Sequence, residues 1–264
     1  MNNHLQTLTQ QVCEVARKAG AYLLSERKNF SEDKIEQKHA HDYVSYVDKS
    51  SEDIIVAELR AILPDAGFLT EEGSATHNDE QYWWVIDPLD GTTNYVHGFN
   101  PFAVCIALRN KTEILLGVVY EATLDECFYA YKGGGAYLNS QPIHVNSAHT
   151  IDQALLGIEL PYDSSRYKDI ALKLIGHFFG YAGGIRMNGS AAVAICNVAA
   201  GRWDGWIERY IGQWDYMAAA IILQEAGGKV TNFDGDEFFL NGDDIVASNS
   251  TVHQDLLDAL KLTR

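Results

Sequence analysis

Residues Trp84-Val85-Ile86-Asp87-Pro88-Leu89-Asp90-Gly91-Thr92-Thr93-Asn94 read "WVIDPLDGTTN". An apolar run stops at an aspartate. A proline follows, then a second aspartate, then Gly-Thr-Thr. Asp-Pro and Asp-Gly are ordinary turn dipeptides, and Asp90 or Thr92 has the chemistry of a helix cap. The other reading of two carboxylates at the end of a buried strand is a cation site.

The rest of the chain bounds that choice. Its 264 residues suit one large domain or two closely packed ones, and a hydrophobic fraction of 47% supports a substantial core. There are 36 acidic against 20 basic residues, a formal net charge of −16, which argues against a nucleic-acid surface. A site for an anionic substrate in such a chain needs local positive charge, from cations or helix ends. Cys13, Cys105, Cys127 and Cys196 are widely spaced, with no CxxC pair, so zinc-ribbon and thioredoxin-type motifs are excluded and core thiols are expected. The first residues lack a basic and an apolar signal region, and no apolar run is long enough to span a bilayer. A soluble, cytoplasmic protein is expected.

Leu5, Leu8, Val12, Val15, Ala16, Ala19 and Leu23 recur at helical spacing. Residues 28–41 are polar without a clear period and suit an exposed loop or hairpin. Ser50 or Ser51 is a candidate cap for a second helix that ends before Pro64. From Gly67 the pattern turns to strands: "GFLTEEGS", "YWWVID", "FAVCIAL", "ILLGVVYEA" and "CFYAYK". "YLNSQPIHV" reads as a hairpin around Asn139-Ser140. Beyond residue 145, "LLGIEL" and "WDGWIE" read as strands. "YKDIALKLIGHFF", "SAAVAICNVAAG" and "DYMAAAIILQEAGG" read as helices, the last two with glycine stops. A division at residues 1–145 and 146–264 follows, the first part carrying most of the acids and the second Asp215.

The candidate acids share a pattern. Glu71 and Glu72 end "GFLTEE", Asp87 and Asp90 end "WVIDPLD", Asp215 opens a helix and Asp48 precedes one. Each alone reads as a cap or a solvated turn. Together they offer the oxygen ligands that magnesium takes, with water and substrate phosphate completing the shell. The Leu89 carbonyl is a natural further ligand. Gly91-Thr92-Thr93 and Gly189-Ser190-Ala191 each begin a helix whose free amides favour a phosphate. Such a site fits metal-assisted hydrolysis of a phosphate ester.

"DPLDGTTNY" and "WDYMAAAIILQEAGG" resemble the two signature motifs of the inositol monophosphatase family. "DYVSYVD", "FLTEEGS", "YKGGGAYLN" and "RMNGSAA" support the resemblance, which runs from about residue 38 to residue 230. It implies a mixed α/β (α+β) fold, a layered α-β-α-β-α sandwich, commonly a homodimer. It implies Mg2+, two to three per site, with Mn2+ as a substitute and Li+ as an inhibitor. Carried over, Glu71, Asp87 and the Leu89 carbonyl hold one metal; Asp87, Asp90 and Asp215 hold a second; a third sits near Glu71. Glu72 lies beside this cluster. Thr92 and Glu71 orient a water, with Asp48 bonded to Thr92. The Gly91 and Thr92 amides hold phosphate oxygens, Glu208 accepts from inositol hydroxyls, and Gly189, Ser190 and Ala191 line the substrate side. Lys38 matches a loop lysine near the third metal.

Some features depart from that pattern or point elsewhere. Ser45 replaces the usual threonine, Thr70 a small residue, and Arg209-Tyr210 and Gly212-Gln213 alter the run beside the leaving-group pocket. His39 and His41 form an HxH pair, read as solvated because no third ligand of matching type is near. "KGGGAY" lacks a P-loop ending, and Ser190 has no histidine partner. The expected substrate is inositol monophosphate or a related polyol or sugar phosphate. Rivals are fructose-1,6-bisphosphate, NADP, histidinol phosphate and a nucleotide phosphate. A reading of another class is a binding partner of the transcription machinery with secondary activity.

Overall fold

The computed structural model describes the chain except residues 1, 29–34, 40–41, 77–78, 148–149, 161–163, 238, 241 and 264, and leaves undescribed the side chains of 2–3, 35–39, 42–45, 164–166 and 263. In chain order the elements are α1 (Asn2–Arg27), β1 (Ile35–His39), β2 (Asp42–Ser45), α2 (Tyr46–Ile62), β3 (Gly67–Thr70), β4 (Trp83–Asp90) and α3 (Thr92–Val96). There follow β5 (Ala103–Arg109), β6 (Ile114–Glu121), β7 (Glu126–Tyr131), β8 (Ala136–Leu138), β9 (Gln141–Ile143) and β10 (Leu155–Ile158). The chain closes with α4 (Ser164–Phe178), β11 (Gly184–Arg186), α5 (Ala191–Ala199), β12 (Gly205–Arg209), α6 (Gln213–Glu225), β13 (Lys229–Thr231), β14 (Asp244–Ser248) and α7 (His253–Thr263).

A seven-stranded sheet runs β3-β4-β5-β6-β7-β8-β9, and a five-stranded one runs β11-β10-β12-β14-β13. Both carry apolar residues on two faces, so each must be covered on both sides. Helices α1 and α2 cover the outer face of the large sheet, burying Leu8, Val12, Leu23, Ile55 and Leu59 against Trp84, Ile86 and Ile106. Helices α5 and α6 fill the space between the sheets, where Cys105, Val119, Ala194, Met217, Ile221 and Trp206 share one core. Helices α4 and α7 close the outer face of the small sheet around Leu174, Phe178, Ile207 and Leu256. The layers are therefore α-β-α-β-α, as expected. All four cysteines are buried and unbridged, and no described helix is long and apolar enough to cross a membrane.

Close packing fixes α6. A Cβ on Gly117 in β6 would lie 2.3 Å from the Ala218 carbonyl oxygen, so only glycine lets strand and helix approach this closely. The glycine stops act as read: Gly201 and Gly227 follow α5 and α6 with φ of 69° and 90°. The Asn139-Ser140 turn has φ of 45° and 68°, the mirror-image turn that matches strand twist. The "KGGGAY" stretch joins β7 to β8, and its Gly133 and Gly135 amides donate to Glu225.

Several local expectations change. Helix α2 starts at Tyr46, directly out of β2, so Asp48, Ser50 and Ser51 lie inside it and none is its cap. Of the two readings of residues 28–41 the hairpin holds for the described part, since β1 and β2 pair antiparallel. The HxH pair cannot be placed, because His41 and the His39 side chain lie outside the described residues, as does the side chain of Lys38.

Candidate active site

The stretch from Asp87 to Asp90 is strand, not a turn. Strand β4 continues through Pro88 and Leu89 to Asp90, all buried. Asp87 pairs with Cys105 and Asp90 with Ala103, so β4 holds one extra residue against β5. That is a β-bulge. In a regular strand, residues three apart face opposite sides; the bulge returns both carboxylates to one side. Pro88 is tolerated there because the ladder is already interrupted.

Three acids gather. Asp87, Asp90 and Asp215 each present a carboxylate oxygen within 4.8 Å of the others. Asp215 stands in the first turn of α6, where its Oδ2 accepts from the Gly212 amide at 2.7 Å. It is thus the inner half of a capping box, not the cap residue itself. Asp87 Oδ1 accepts from the Leu89 amide at 2.8 Å. Glu71 follows β3, which runs parallel to β4, and its amide donates to the Ile86 carbonyl at 3.2 Å, bringing it beside Asp87.

These acids, with Leu89, Gly91, Thr92, Gly189, Ser190, Ala191 and Glu208, line one cavity of about 360 Å3. Asp48 stands behind it, with 1% of its surface exposed. Thr92 Oγ1 lies 3.1 Å from Asp48 Oδ1 and 2.9 Å from the Leu89 carbonyl, two acceptors for its one proton. Gly91 turns the chain with φ of 91°. A Cβ there would sit 2.9 Å from the Pro101 carbonyl and 3.1 Å from that of Gly189. Helix α3 has five residues, too few for a strong macrodipole.

The start of α5 is engaged differently. Its Ser190 hydroxyl donates to Asp90 Oδ2 at 2.6 Å, and the Ala191 and Ala192 amides donate to the same carboxylate at 3.3 and 2.9 Å. The free amides expected to face a phosphate are spent on Asp90. The reason is burial: a desolvated carboxylate needs donors, and a helix N-terminus supplies them.

Electrostatics follow. Burial, then the charge of Glu71, push Asp87 well above the usual carboxylate range. The same two causes push Asp215 up. Burial raises Asp90 to about 6, with Ser190 and the α5 amides holding it down. No lysine, arginine or histidine lies among the described residues lining the cavity. Clustered carboxylates without a counter-charge, offering only oxygen, fit a hard divalent cation.

Two acids, Glu52 and Glu159, escaped the sequence reading, whereas Tyr210 was already read beside the pocket. Glu52, fully buried in α2, accepts from the Glu72 and Ser74 amides at 2.8 Å each and so holds the loop that carries Glu71. Its signal was phase: Asp48, Ser51 and Glu52 share the buried face with Ile55, Val56 and Leu59. Glu159, after β10, lines the cavity and accepts from the Asn188 amide at 2.7 Å. Burial lifts it to about 7. Tyr210 lines the cavity with φ of 60°, a left-handed backbone that costs a non-glycine residue about 1 kcal/mol.

A sequence model of the inositol monophosphatase family matches residues 4–262. An inositol-1-monophosphatase from Mesorhizobium japonicum is 36% identical over 255 residues, covering 96% of each chain. A Nus factor SuhB from Vibrio cholerae is 36% identical over 235 residues, 89% of this chain and 88% of its own. The crystal structure of the extragenic suppressor protein suhB from Bartonella henselae superposes with a TM-score of 0.90 at 34% identity, covering 97% of this chain and 98% of that one.

Proposed function

This chain belongs to the inositol monophosphatase family, and from that premise we propose that it is a Mg2+-dependent phosphomonoesterase. Its substrate in this reading is inositol monophosphate, or a related polyol or sugar phosphate, released as the alcohol and inorganic phosphate. The observation that carries the reading is the trio Asp87, Asp90 and Asp215, gathered within 4.8 Å in a cavity whose described lining has no basic side chain.

Glu71, Asp87 and the Leu89 carbonyl would hold one metal, Asp87, Asp90 and Asp215 a second, with a third near Glu71. Cations bound there lower the pKa of a water and stabilise charge on the leaving oxygen. The chain's own groups supply position. Thr92, tied to Asp48 and the Leu89 carbonyl, and Glu71 orient the attacking water. The Gly91 and Thr92 amides hold phosphate oxygens. Glu208 accepts from leaving-group hydroxyls, and Gly189, Ser190 and Ala191 flank the substrate. The Ser190 hydroxyl donates a hydrogen bond to Asp90 and no histidine lies in the described lining to activate it, so the reading needs no covalent enzyme intermediate. A cytoplasmic homodimer completes the reading.

Phosphate release is measured over inositol monophosphate, fructose-1,6-bisphosphate, NADP and a nucleotide phosphate, with and without EDTA and Li+. Release from the polyol ester that EDTA and Li+ suppress is expected. An absence of metal-dependent release from every sugar and polyol phosphate would sink the enzyme reading. A relative named Nus factor favours a second reading, a binding partner of the transcription machinery. That role survives Asp90→Asn and fails with surface substitutions.

A further inference from the structure

Two glutamates leave neighbouring strands side by side. β10 and β12 run parallel with Ile158 opposite Ile207, and the Glu159 amide donates to the Ile207 carbonyl at 3.2 Å. Glu159 and Glu208 are the next residues of the two strands. They stand at the C-terminal ends of parallel strands, where α/β sheets bind ligands, and both line the cavity. Like charges on adjacent strands repel. Burial, then the charge of Glu159, push Glu208 well above the ordinary range.

Nothing in the described lining neutralises the pair. Arg209, adjacent in sequence to Glu208, turns away. Its guanidinium lies over the rings of Tyr167 and Phe233 and 3.7 Å from Asp244. Glu159 is fixed instead by backbone: the Asn188 amide donates to Oε1 at 2.7 Å, and the Gly189 amide reaches each oxygen at 3.3 Å. A carboxyl held this way retains lone pairs that face the cavity.

Resting on the phosphatase reading above, we propose that Glu159 is a second specificity-determining carboxyl, and that with Glu208 it selects phosphomonoesters of uncharged polyhydroxy alcohols and rejects esters carrying a second phosphate. Hydroxyls of the alcohol donate to the carboxyl oxygens of the pair, which keep acceptor capacity in either protonation state. A second phosphate would meet two acids with no basic side chain in the described lining to pair with it, an unfavourable juxtaposition. Tyr210 and Trp214, on the same cavity wall, supply ring faces for the apolar side of the alcohol.

Wild type, Glu159→Gln and Glu208→Gln are compared on inositol 1-phosphate, fructose 1,6-bisphosphate and para-nitrophenyl phosphate, with Mg2+. Glutamine keeps an acceptor for the Asn188 and Gly189 amides while removing the charge. The wild type is expected to favour the polyol monoester over the bisphosphate by at least roughly tenfold in kcat/KM. Each variant should lose about tenfold on the polyol monoester, mainly through KM, without a matching loss on the bisphosphate. The selectivity ratio then collapses. A purely structural role would lower both substrates by one factor and leave the ratio unchanged, which overturns the proposal, as does a wild-type preference for the bisphosphate. If no ester releases phosphate, para-nitrophenyl phosphate included, the phosphatase reading fails. Calorimetric binding of the first two esters then decides the pocket by the same ratio.

Discussion

Asp90 shows how one residue serves two structures. Its carboxylate faces Asp87 and Asp215 and also anchors the first turn of α5 through Ser190, Ala191 and Ala192. Asp90→Asn places an amide where two backbone amides already donate, and removes a charge the cation site needs. We expect phosphate release to fall by about 10³-fold or more, read in a steady-state assay; retention of a tenth of the activity would contradict the assignment. Ser190→Ala removes a donor to Asp90 and the hydroxyl that accepts from Val193. The expected cost is about 1 kcal/mol of stability, seen as a lowered urea midpoint at unchanged slope. Glu52→Ala strands the Glu72 and Ser74 amides. It should cost about 1–3 kcal/mol and raise the Mg2+ concentration for half-maximal activity, with Glu52→Gln restoring only part of both, since its single carbonyl oxygen can accept from one of the two amides. An unchanged Mg2+ requirement would reduce Glu52 to a purely structural acid. The aspartates were legible because their motifs are distinctive as a set. Glu52 and Glu159 were not, since a lone acid on a helix or at a strand end matches any solvated residue until its neighbours are known.

At the scale of elements, regular periodicity was readable and tertiary override was not. β5, β6 and β7 announce themselves by apolar runs, and α5 and α6 by alanine-rich periods ending at glycine. β4 was cut short at Asp87 in the reading because Asp-Pro-Leu-Asp has turn composition; pairing with β5 and the bulge carry the strand to Asp90. Ser50 and Ser51 look like caps and place the start of α2 about one and a half turns late, while the chain enters the helix at Tyr46, straight from β2. β13, β14 and α7 went unassigned, their short apolar runs lying between polar loops. The junction of β6 and α6 yields a test. Gly117→Val forces a side chain into the Ala218 carbonyl and Ile221. Overpacking of this kind costs about 1–3 kcal/mol, and α6 can yield only by moving Asp215. We expect a melting temperature lower by about 2–4 °C per kcal/mol together with weakened Mg2+ dependence. A variant that melts early yet keeps wild-type metal dependence would show that α6 does not shift.

Across the whole molecule the acids of the cavity act together on stability. A carboxyl whose folded pKa is raised binds its proton at a pH where the unfolded chain has already lost it. Between the two values the folded state holds more protons, so stability falls as pH rises. Asp90, raised by burial to about 6, and Glu159, raised by burial to about 7, run this way, and Asp87, Asp215 and Glu208 share the direction. His253 opposes them. Buried between the Thr231 and Ser248 hydroxyls, it is lowered by burial to about 4, so its contribution is lost as pH falls from about 6.5 toward 4. Five acids against one histidine give a net decline for the metal-free protein between about pH 5 and 7. A divalent cation reverses that balance by binding the ionised carboxylates of the folded state. At a hundred times its dissociation constant it adds about 2.7 kcal/mol. We therefore expect the melting temperature in EDTA to fall from pH 5 to 7.5, and the temperature in Mg2+ to diverge upward from it as pH rises. Scanning calorimetry at both ends of the range measures the divergence. Parallel curves would mean that the cavity's acids neither carry raised pKa values nor share a cation.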